Sequence, residues 1–563
     1  MTAQALSPHV PRTRECDLQR PVHSLQTCHV SGAPDELAFD ARPARLWLDA
    51  DLNSFHESYW VDHTTVETVD LVLQGKGAVC CTIYRAAPAV GIETVVRERL
   101  DLDLHGEARV QVRLRQSPRG GRLFARLEAD GAPLRLSRVV WGASVPPLRE
   151  VSLGVGICTL NAEGSLRRSL ERLLNAGPEA GVDELLVVNR GERIRSGLLA
   201  EITARAPRLR LLDQADLGGS DGRVRAAMEL LSTPTTTHVL LMDDDVEVDP
   251  AHLAATAAFL RYSRARLVLG GQMLDLFDRC RMREAGGRTT ATPLVRPNPE
   301  QLELRAHETL QRLAKVSPSH VKGWGFAVIP TEAFRLYGTP LPIFIRGEDV
   351  EFGIRLRQAG IPTASLPPVS VRQQPFYARP AGWKQYYDLR NRLIFASLHP
   401  EHARLDRASR LAKTLLAMIV RRDHQRLAVI RHALTDFLQG PEVLERPAAK
   451  HAATPGRLRW KVLASTLRLI LRYGLQKRDA AARWVAAYPR LVSADDWARR
   501  LGVVEQAPPG PALPIEAAPP EDATPPPVLH RKGRNERIPR QGQGGAIPLR
   551  RSGSREGTAG SFR

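Results

Sequence analysis

The chain has 563 residues, more than one hydrophobic core usually serves, so we expect about three domains. Its composition, 43% hydrophobic and 25% charged residues, excludes a wholly disordered chain, and no run of about 18–20 apolar residues predicts a membrane-spanning helix. Lys and Arg outnumber Asp and Glu by 80 to 61, a net charge of +19, which indicates either an anionic partner or merely an Arg-rich proteome.

Residues 1–150 predict short strands joined by turns. Apolar and polar residues alternate over Val110–Leu114 and Leu123–Leu127, and Gly120 with Gly121 is typical of a hairpin between them. We therefore expect an N-terminal β-sandwich over residues 1–150. The six cysteines form no CxxC pair or His-Cys cluster, and residues 1–16 hold no apolar segment typical of a secretion signal. A reducing, cytoplasmic location is the expectation.

From Val151 the pattern changes to buried strands alternating with helices. The strand VSLGVGICTL precedes the amphipathic helix SLRRSLERLL, and ELLVVN, LRLLD and HVLLM are three further apolar strands. Continuous apolar strands that alternate with helices are typical of a parallel sheet covered on both faces. The sequence thus predicts an α/β, Rossmann-like catalytic domain over residues 151–400.

The last third of the chain is basic. Apolar residues recur at steps of three and four with Arg and Lys on the other face, which predicts a helical region over residues 401–503. This region is either a helical cap packed on the α/β domain or a basic amphipathic surface for anionic lipid. Residues 504–563 are rich in Pro, Gly and Arg and predict a disordered tail.

Three consecutive carboxylates follow the apolar strand HVLLM, namely Asp243, Asp244 and Asp245. Ligand sites of open α/β sheets lie at the carboxyl ends of strands. Along an extended chain Asp243 and Asp245 share one face while Asp244 points elsewhere. A hard divalent cation would relieve their repulsion and could bridge to a diphosphate. Turn or cap chemistry is the simpler alternative.

Two further motifs are less specific. Glu348 and Asp349 open a predicted helix, where carboxylates either complement the helix dipole or act as a catalytic base. Gly218 and Gly219 precede another helix, whose N-terminus could approach a phosphate or a sugar. Neither motif is a P-loop or a dinucleotide fingerprint.

Taken in order, six segments resemble family 2 glycosyltransferases of the GT-A fold: CTLN, LGGSDG, MDDDV, LGGQMLDL, KGWGFAVIP and GEDVEFGIR. Within that family they are most similar to the polymerising galactofuranosyltransferases of cell-wall galactan synthesis. The similarity includes DLNSFHESYW in the N-terminal region and YYDLRNRLIFASLH after the α/β strands, so it spans roughly residues 40–400. It implies an inverting transfer from a nucleotide diphosphate sugar.

The resemblance implies roles for individual residues. Asp243 and Asp245 would hold Mn²⁺ or Mg²⁺ on the donor diphosphate, and Asp349 would be the base for the acceptor hydroxyl, with Glu348 beside it. On the acceptor side, Gly323 would lie beside Trp324, whose ring would either face the acceptor sugar or belong to the core. The donor side would be formed by Thr159, Asn161, Gly218, Gly219, Asp244 and Glu284.

Two positions depart from this subfamily. Gln373 stands where the subfamily has a metal-binding His, and a neutral amide oxygen binds a transition metal more weakly than imidazole does. Ala162 stands where the subfamily has an Arg. These departures leave the metal and the donor open, with a UDP sugar favoured and galactofuranose as one candidate.

The expected acceptor is a glycan or a lipid-linked glycan. Peripheral contact with the inner face of the cytoplasmic membrane and a homo-oligomer are both compatible with the sequence. The alternative function is a catalytically weakened, carbohydrate-binding or scaffolding homologue, which Gln373 favours and the four matching carboxylates disfavour. Nucleic-acid binding has only the net charge behind it, and we do not expect it.

Overall fold

The computed structural model describes residues 23–27, 37–39, 43–88, 90–103, 105–117, 120–194, 204, 209–290, 295–297, 301–316, 319–374, 384–446 and 460–502. The tail predicted over residues 504–563 lies outside this part of the chain.

The N-terminal region consists of two antiparallel sheets and one short helix, α1 (Glu57–His63). One sheet has the strand order β1-β9-β4-β7 with β2 beside β9, and the other has the order β3-β8-β5-β6. Buried residues of both sheets, such as Leu71 and Ile83, belong to one hydrophobic core. The strands are β1 His23–Thr27, β2 Leu37–Phe39, β3 Pro43–Leu48, β4 Thr68–Lys76, β5 Ala78–Ala87, β6 Gly91–Asp101, β7 Glu107–Arg113, β8 Arg122–Asp130 and β9 Leu134–Ala143.

The predicted hairpin at Gly120 and Gly121 is wrong, because β7 and β8 pair with strands of different sheets. Gly120 has φ +83°, and a Cβ there would lie 2.4 Å from the carbonyl oxygen of Ala314. The backbone N–H of Gly121 donates to the same oxygen at 2.8 Å. The glycines therefore allow close approach to a distant segment of the chain, which local sequence cannot reveal.

The α/β region is built on one sheet with the strand order β12-β11-β10-β13-β20-β15-β16-β19, in which β21 lies beside β15 and β14 beside β21. A small second sheet pairs β17 with β18. The strands are β10 Leu153–Thr159, β11 Val182–Asn189, β12 Leu209–Asp213, β13 His238–Asp243, β14 Glu247–Val248, β15 Val268–Asp275, β16 Arg281–Glu284, β17 Gly287–Thr289, β18 Val295–Pro297, β19 Leu302–Glu303, β20 Phe326–Pro330 and β21 Thr363–Gln373.

The sheet is mixed, which corrects the expectation of a parallel sheet. The strands β12, β11, β10 and β13 are parallel, as the alternation of strands and helices predicts. The strand β20, however, runs antiparallel between β13 and β15. A continuous apolar run such as FAVIP indicates a buried strand but not its direction. The helices of this region are α2 Glu163–Leu174, α3 Gly219–Leu231, α4 Pro250–Tyr262, α5 His307–Leu313, α6 Thr331–Tyr337 and α7 Glu348–Gln358.

The C-terminal region is helical, as its periodicity predicts. Its helices are α8 Lys384–Leu398, α9 Ala408–Val420, α10 His424–Gln439, α11 Trp460–Leu491 and α12 Ala494–Leu501. Leu415, Phe437 and Trp484 form a core with Leu341 and Ile343, which precede α7. The helices therefore pack on the α/β region. Within the described ranges, no helix is both long and apolar enough to cross a membrane.

Candidate active site

The Asp triplet lies where β13 ends, between β10 and β20. Asp243 and Asp245 converge on one point, because Nε2 of Gln373 donates hydrogen bonds of 2.8 Å to Oδ2 of Asp243 and to Oδ1 of Asp245. Asp244 instead accepts a hydrogen bond of 2.6 Å from the hydroxyl of Thr159 at the end of β10. The side chains therefore alternate in direction, as expected of an extended chain.

The environment of Asp244 disfavours its ionised form. Burial raises its pKa to about 6, and the charges of Asp243 and Asp245 act in the same direction, while the hydrogen bond from Thr159 opposes them. The hydroxyl of Ser169 on α2 donates to the backbone oxygens of Asp244 and Val246, both at 2.9 Å. These bonds hold the triplet against α2.

Arg223 on α3 links the two acidic groups, a role that the sequence analysis missed. Its Nη2 donates to Oδ1 of Asp243 at 2.5 Å, and its Nη1 donates to Oε1 of Glu348 at 3.3 Å. Burial lowers the pKa of the guanidinium, but the carboxylates of Asp243 and Glu348 outweigh that effect and raise it. The only sequence signal was an Arg one helical turn after Gly219.

Glu348 and Asp349 form the first turn of α7. Glu348 is only 4% exposed, whereas Asp349 is half-buried and its Oδ1 accepts a hydrogen bond of 2.9 Å from the backbone N–H of Val350. Burial raises the pKa of both carboxyls, and Arg223 lowers it for both. Repulsion from Asp349 raises the pKa of Glu348 further. Burial and mutual repulsion make this pair more than a dipole partner for the helix.

The Gly-Trp-Gly turn before β20 separates the two acidic groups. A Cβ on Gly323 would lie 3.6 Å from Oε1 of Glu284 and 3.8 Å from Oδ2 of Asp349. A Cβ on Gly325 would lie 3.7 Å from Oδ2 of Asp243 and 3.4 Å from Oε1 of Gln373. The turn therefore has Glu284 and Asp349 at one end and the convergent Asp243 at the other. Burial raises the pKa of Glu284.

The structure corrects the expectation that the Trp324 ring faces the acceptor. Trp324 is 4% exposed and belongs to a core cluster with Phe334 and Phe352. Its ring meets Phe352 edge-on, with the centroids 6.1 Å apart. Trp324 is the only residue of this Gly-Trp-Gly turn with an apolar side chain, and it packs into the core because burying its apolar area is favourable. Of this motif, only Gly323 and Gly325 border the acidic groups.

The reason for Gly218 also differs from the expectation. Gly218 has φ +121°, and a Cβ there would lie 2.5 Å from the carbonyl oxygen of Phe344. The N–H of Ser220, in the first turn of α3, donates to that same oxygen at 3.0 Å. Gly218 thus allows its own loop to pack closely against the loop that contains Phe344. The N–H of Ser220 donates to a backbone oxygen and is not left for a phosphate.

Thr159 and Asn161 line a cavity of about 620 Å³ between the ends of β10 and β11. Asn161 has φ +54°, an unusual conformation for a residue with a side chain. Its Oδ1 accepts a hydrogen bond of 2.7 Å from the backbone N–H of Glu192 across the cavity. The cavity lies beside Asp244, whose partner Thr159 forms part of its wall.

The residues around Gln373 fit a hard divalent cation. Within the described ranges, no cluster of three or more His, Cys, Asp or Glu side chains is placed to hold a metal ion. Asp243 and Asp245 do converge, however, on the amide nitrogen of Gln373. A cation between them would require this amide to turn its oxygen toward the carboxylates, because an amide N–H donates and cannot be a ligand. Mg²⁺ is commonly held by one or two carboxylates together with substrate phosphate oxygens. This donor set therefore suits a cation shared with a diphosphate.

The fold and the site define a class. Residues 151–396 match the family model described as "Glycosyltransferase like family 2", and the mixed α/β sheet lies in this part of the chain. This match over residues 151–396 confirms the resemblance found in the motifs.

The particular relatives are two galactofuranosyltransferases named GlfT2. The Mycobacterium tuberculosis (strain ATCC 25618 / H37Rv) protein is 29% identical over 414 residues, which cover 69% of this chain and 64% of the relative. The Mycolicibacterium smegmatis protein is 26% identical over 414 residues, covering 70% and 64%. The chain thus spans somewhat less than two thirds of the length of these relatives.

Two solved structures are more distant. A structure of GalNAc-T7 with UDP, GalNAc and Mn²⁺ is 16% identical and covers 46% of this chain and 49% of its own, with a TM-score of 0.37. Mannosyltransferase PcManGT from Pyrobaculum calidifontis in complex with GDP-Man and Mn²⁺ is 14% identical and covers 62% and 88%, with a TM-score of 0.33.

Proposed function

We propose that this chain is an inverting, metal-dependent glycosyltransferase that moves a sugar from a nucleotide diphosphate to a glycan or lipid-linked glycan. The observation behind the proposal is the placement of two acidic groups around one glycine turn. Asp243 and Asp245 converge near Gly325, Asp349 lies near Gly323, and Arg223 contacts both Asp243 and Glu348. The names of the GlfT2 relatives support galactofuranose as the sugar, and we expect UDP as its carrier.

In this proposal each group has a separate task. Asp243 and Asp245, together with the amide oxygen of Gln373, would hold a divalent cation, which would supply charge stabilisation for the departing diphosphate. Asp349 takes the proton of the attacking acceptor hydroxyl, because it is the more exposed member of its pair and lies beside Glu284 across Gly323. Glu348 and Arg223 position the base and balance its charge.

The cavity lined by Thr159 and Asn161 suits the nucleoside of the donor. It opens at the carboxyl ends of β10 and β11, the edge at which ligands bind in open α/β sheets. Its polar lining includes Asn189 and Arg168. Glu284, beyond Gly323, is placed to contact the donor sugar near the base.

We also infer that the C-terminal helices contact an anionic membrane surface. Leu467, Leu471 and Leu475 are spaced four residues apart on α11 and are 54%, 67% and 83% exposed. The neighbouring helix α9 exposes Leu416 and Val420 in the same way. Exposed basic residues among them, which complement anionic lipid headgroups, include Lys413, Arg421, Arg422, Arg468, Arg472 and Arg478.

The alternative, a scaffolding homologue with weak turnover, has one observation in its favour. The amide nitrogen of Gln373, rather than a metal ligand such as imidazole, faces Asp243 and Asp245. Against it, Asp349, Glu348 and Glu284 remain grouped in a buried setting with raised pKa values, an arrangement typical of acid–base sites. The enzyme is therefore the favoured function.

A turnover assay tests the proposal. The full chain is incubated with UDP-galactofuranose, other UDP sugars or GDP-mannose, with Mn²⁺, Mg²⁺ or EDTA, and release of the nucleotide is followed. We expect metal-dependent release with UDP-galactofuranose and its loss in Asp349→Asn. If wild type binds the donor by thermal shift but releases no nucleotide with any of these donors, the scaffolding alternative is correct.

A further inference from the structure

A second cavity, of about 600 Å³, lies where the C-terminal helices meet the loop that leads into α7. Asp221 of α3, Phe344 of the loop, Tyr387 of α8 and Arg500 of α12 all line it. None of these residues has a task in the proposed chemistry at Asp243 or Asp349. The cavity therefore needs its own explanation.

Asp221 is an acceptor without a partner. The residue is only 6% exposed, and among the described residues its carboxylate accepts no hydrogen bond and makes no ion pair. Burial raises its pKa, while Arg190 and Arg500 act in the opposite direction. A buried carboxylate with no hydrogen bond is costly, so a ligand that donates to it would recover that energy.

Arg500 is a donor with one free nitrogen. Its Nε donates to Oδ2 of Asp496 at 2.6 Å and its Nη1 to the backbone oxygen of Leu444 at 2.9 Å. The buried Nη2 has no hydrogen-bond partner among the described residues and lies 3.7 Å from the carboxylate of Glu445. The cavity thus offers an unmet acceptor, and an unmet donor lies buried in its wall.

Aromatic rings form another part of the lining. The rings of Phe344 and Tyr387 are stacked with their centroids 5.0 Å apart. Phe344 has φ +72°, a conformation that a bulky residue adopts only under constraint from its surroundings. Gly218 leaves room for that ring, since a Cβ there would lie 2.5 Å from Cδ2 of Phe344. The fold therefore accepts local strain to place an aromatic ring at this position.

The chemistry of the lining selects a class of ligand. A hydroxyl donates, which matches Asp221, and it also accepts, which suits the guanidinium groups in the wall such as that of Arg500. The cavity lining carries both signs of charge: the carboxylates of Asp221, Asp436 and Glu445, and the guanidinium groups of Arg390, Arg446, Arg499 and Arg500. Several of these groups already have partners within the protein, such as Glu445 beside Arg499 and Arg390 beside Tyr386, so the groups left to a ligand favour a neutral polar molecule. Aromatic rings interleaved with such polar groups suit the alternating C–H and O–H surfaces of a sugar chain.

The position relates the cavity to the site of reaction. Asp221 lies two residues before Arg223, which contacts Asp243 and Glu348. Phe344 lies in the loop that ends at Gly347, immediately before the Glu348 and Asp349 pair. Resting on the proposed function, we propose that this cavity binds a neutral glycan segment of the acceptor, several sugars away from the hydroxyl that reacts.

Binding by the full chain tests this proposal without turnover. The probes are a β-linked galactofuranosyl disaccharide and the corresponding hexasaccharide, and the dissociation constants are measured calorimetrically in the absence of donor. We expect wild type to bind the hexasaccharide about tenfold more tightly than the disaccharide, the equivalent of one or two added hydrogen bonds. Failure of wild type to bind the hexasaccharide would overturn the proposal.

Two variants and a control locate the binding. Asp221→Asn removes the unpartnered charge with little change of shape, and Leu217→Trp fills the cavity from its rim, where Leu217 is 38% exposed. Both should bring the affinity for the hexasaccharide close to that for the disaccharide. Asp479→Asn makes the same chemical change on the exposed face of α11 and should leave both affinities unchanged. Hexasaccharide binding at wild-type strength in both cavity variants, with melting temperatures preserved, would overturn the assignment.

The proposed function is judged by a separate measurement. Hydrolysis of UDP-galactofuranose by wild type reports on the donor site alone. Hexasaccharide binding that depends on Asp221, without hydrolysis, would support the glycan cavity and reject the transferase. Hydrolysis together with hexasaccharide binding that is unchanged in Asp221→Asn would support the transferase and reject the glycan cavity.

Discussion

At the scale of single residues, the three consecutive aspartates have two different environments. Asp243 and Asp245 face Gln373, while Asp244 is tied to Thr159. We expect Asp243→Asn and Asp245→Asn to lower metal-dependent transfer by more than about 100-fold, because each removes a charged oxygen ligand. Sugar transfer at saturating Mn²⁺ is the measurement.

Asp244→Asn serves as the matched control for that prediction. It should lower transfer less, and it should stabilise the metal-free fold above pH 6, since burial holds the pKa of Asp244 at about 6 and its ionised form is disfavoured there. That gain should shrink as the pH falls through 6, where the wild-type carboxyl takes up its proton. Equal activity in all three variants would reject the metal assignment.

Gln373 allows a gain-of-affinity prediction. Its side chain lies against both Asp243 and Asp245, so Gln373→His places an imidazole at the point where the carboxylates converge. We expect Mn²⁺ to bind about tenfold more tightly, because imidazole is a stronger ligand than an amide for a transition metal. Titration of Mn²⁺ by calorimetry measures this. Gln373→Asn, which shortens the side chain but keeps the amide, should not tighten binding. Unchanged affinity in Gln373→His would show that residue 373 does not contact the ion.

The acidic pair makes a prediction about the base. Asp349→Asn should lose at least about 100-fold in turnover while retaining donor affinity, because a general base contributes about 10²–10⁴-fold. Glu348→Gln should lose less, since Glu348 is buried against Arg223. Turnover and donor affinity are measured for both variants. If Asp349→Asn loses donor binding and Glu348→Gln loses only chemistry, the roles are reversed.

The pH dependence of wild-type turnover follows from the same pair. Burial raises the pKa of Asp349 above that of an ordinary Asp, so the base is protonated at a higher pH than usual. The rate should therefore fall as the pH falls, starting closer to neutrality than for an exposed carboxylate. A rate that stays constant down to pH 4 would contradict this assignment.

At the scale of elements, α11 has a buried face and an exposed apolar face. Leu471→Asp with Leu475→Asp should weaken binding to vesicles of phosphatidylglycerol and phosphatidylcholine by about tenfold, because each change replaces exposed apolar area by a charge that anionic lipid repels. Sedimentation with the vesicles is the measurement. Leu148→Asp is the control, since Leu148 is 52% exposed in a loop outside these helices. Binding by the double variant equal to wild type would reject this surface as the membrane contact.

At the scale of the whole molecule, the N-terminal sheets share a core with the α/β region. The ring of Trp60 meets that of Phe259 edge-on, with the centroids 5.0 Å apart, and the hydroxyl of Tyr262 donates to the backbone oxygen of Val145 at 2.7 Å. The hydroxyl of Ser58 donates to the backbone oxygen of Ala314 at 2.5 Å. The described parts of residues 1–505 belong to one compact unit.

This shared core predicts that a chain beginning at Val151 does not fold alone. Exposing large apolar side chains such as Phe259 costs roughly 1.5–3 kcal/mol each, which quickly exceeds the stability of an ordinary domain. We expect residues 151–502 to aggregate or to melt without cooperativity, whereas residues 1–502 melt in a single transition. Calorimetry on both chains measures this. A soluble 151–502 fragment with the melting temperature of the longer chain would make residue 150 a true domain boundary.

The sequence by itself determined the elements and the chemical groups of the candidate site. Continuous apolar strands such as HVLLM indicate burial, and carboxylates directly after them lie at a sheet edge, so the Asp triplet could be placed without a structure. The order of the motifs then pointed to the family that residues 151–396 match. Such features are local, because the hydrophobic period, the composition and the motif spacing can each be read from a short window of the sequence.

Only the tertiary structure decided which segments, distant from one another in the sequence, are in contact. The direction of β20, the burial of Trp324 against Phe352, the approach of Gly120 to Ala314 and the link from Arg223 to Asp243 and Glu348 all join distant segments. An apolar run has the same pattern in either strand direction, and a glycine or an arginine has no period that reveals its partner. These contacts depend on which surfaces pack together, and that choice is made by the free energy of the whole fold rather than by any one segment.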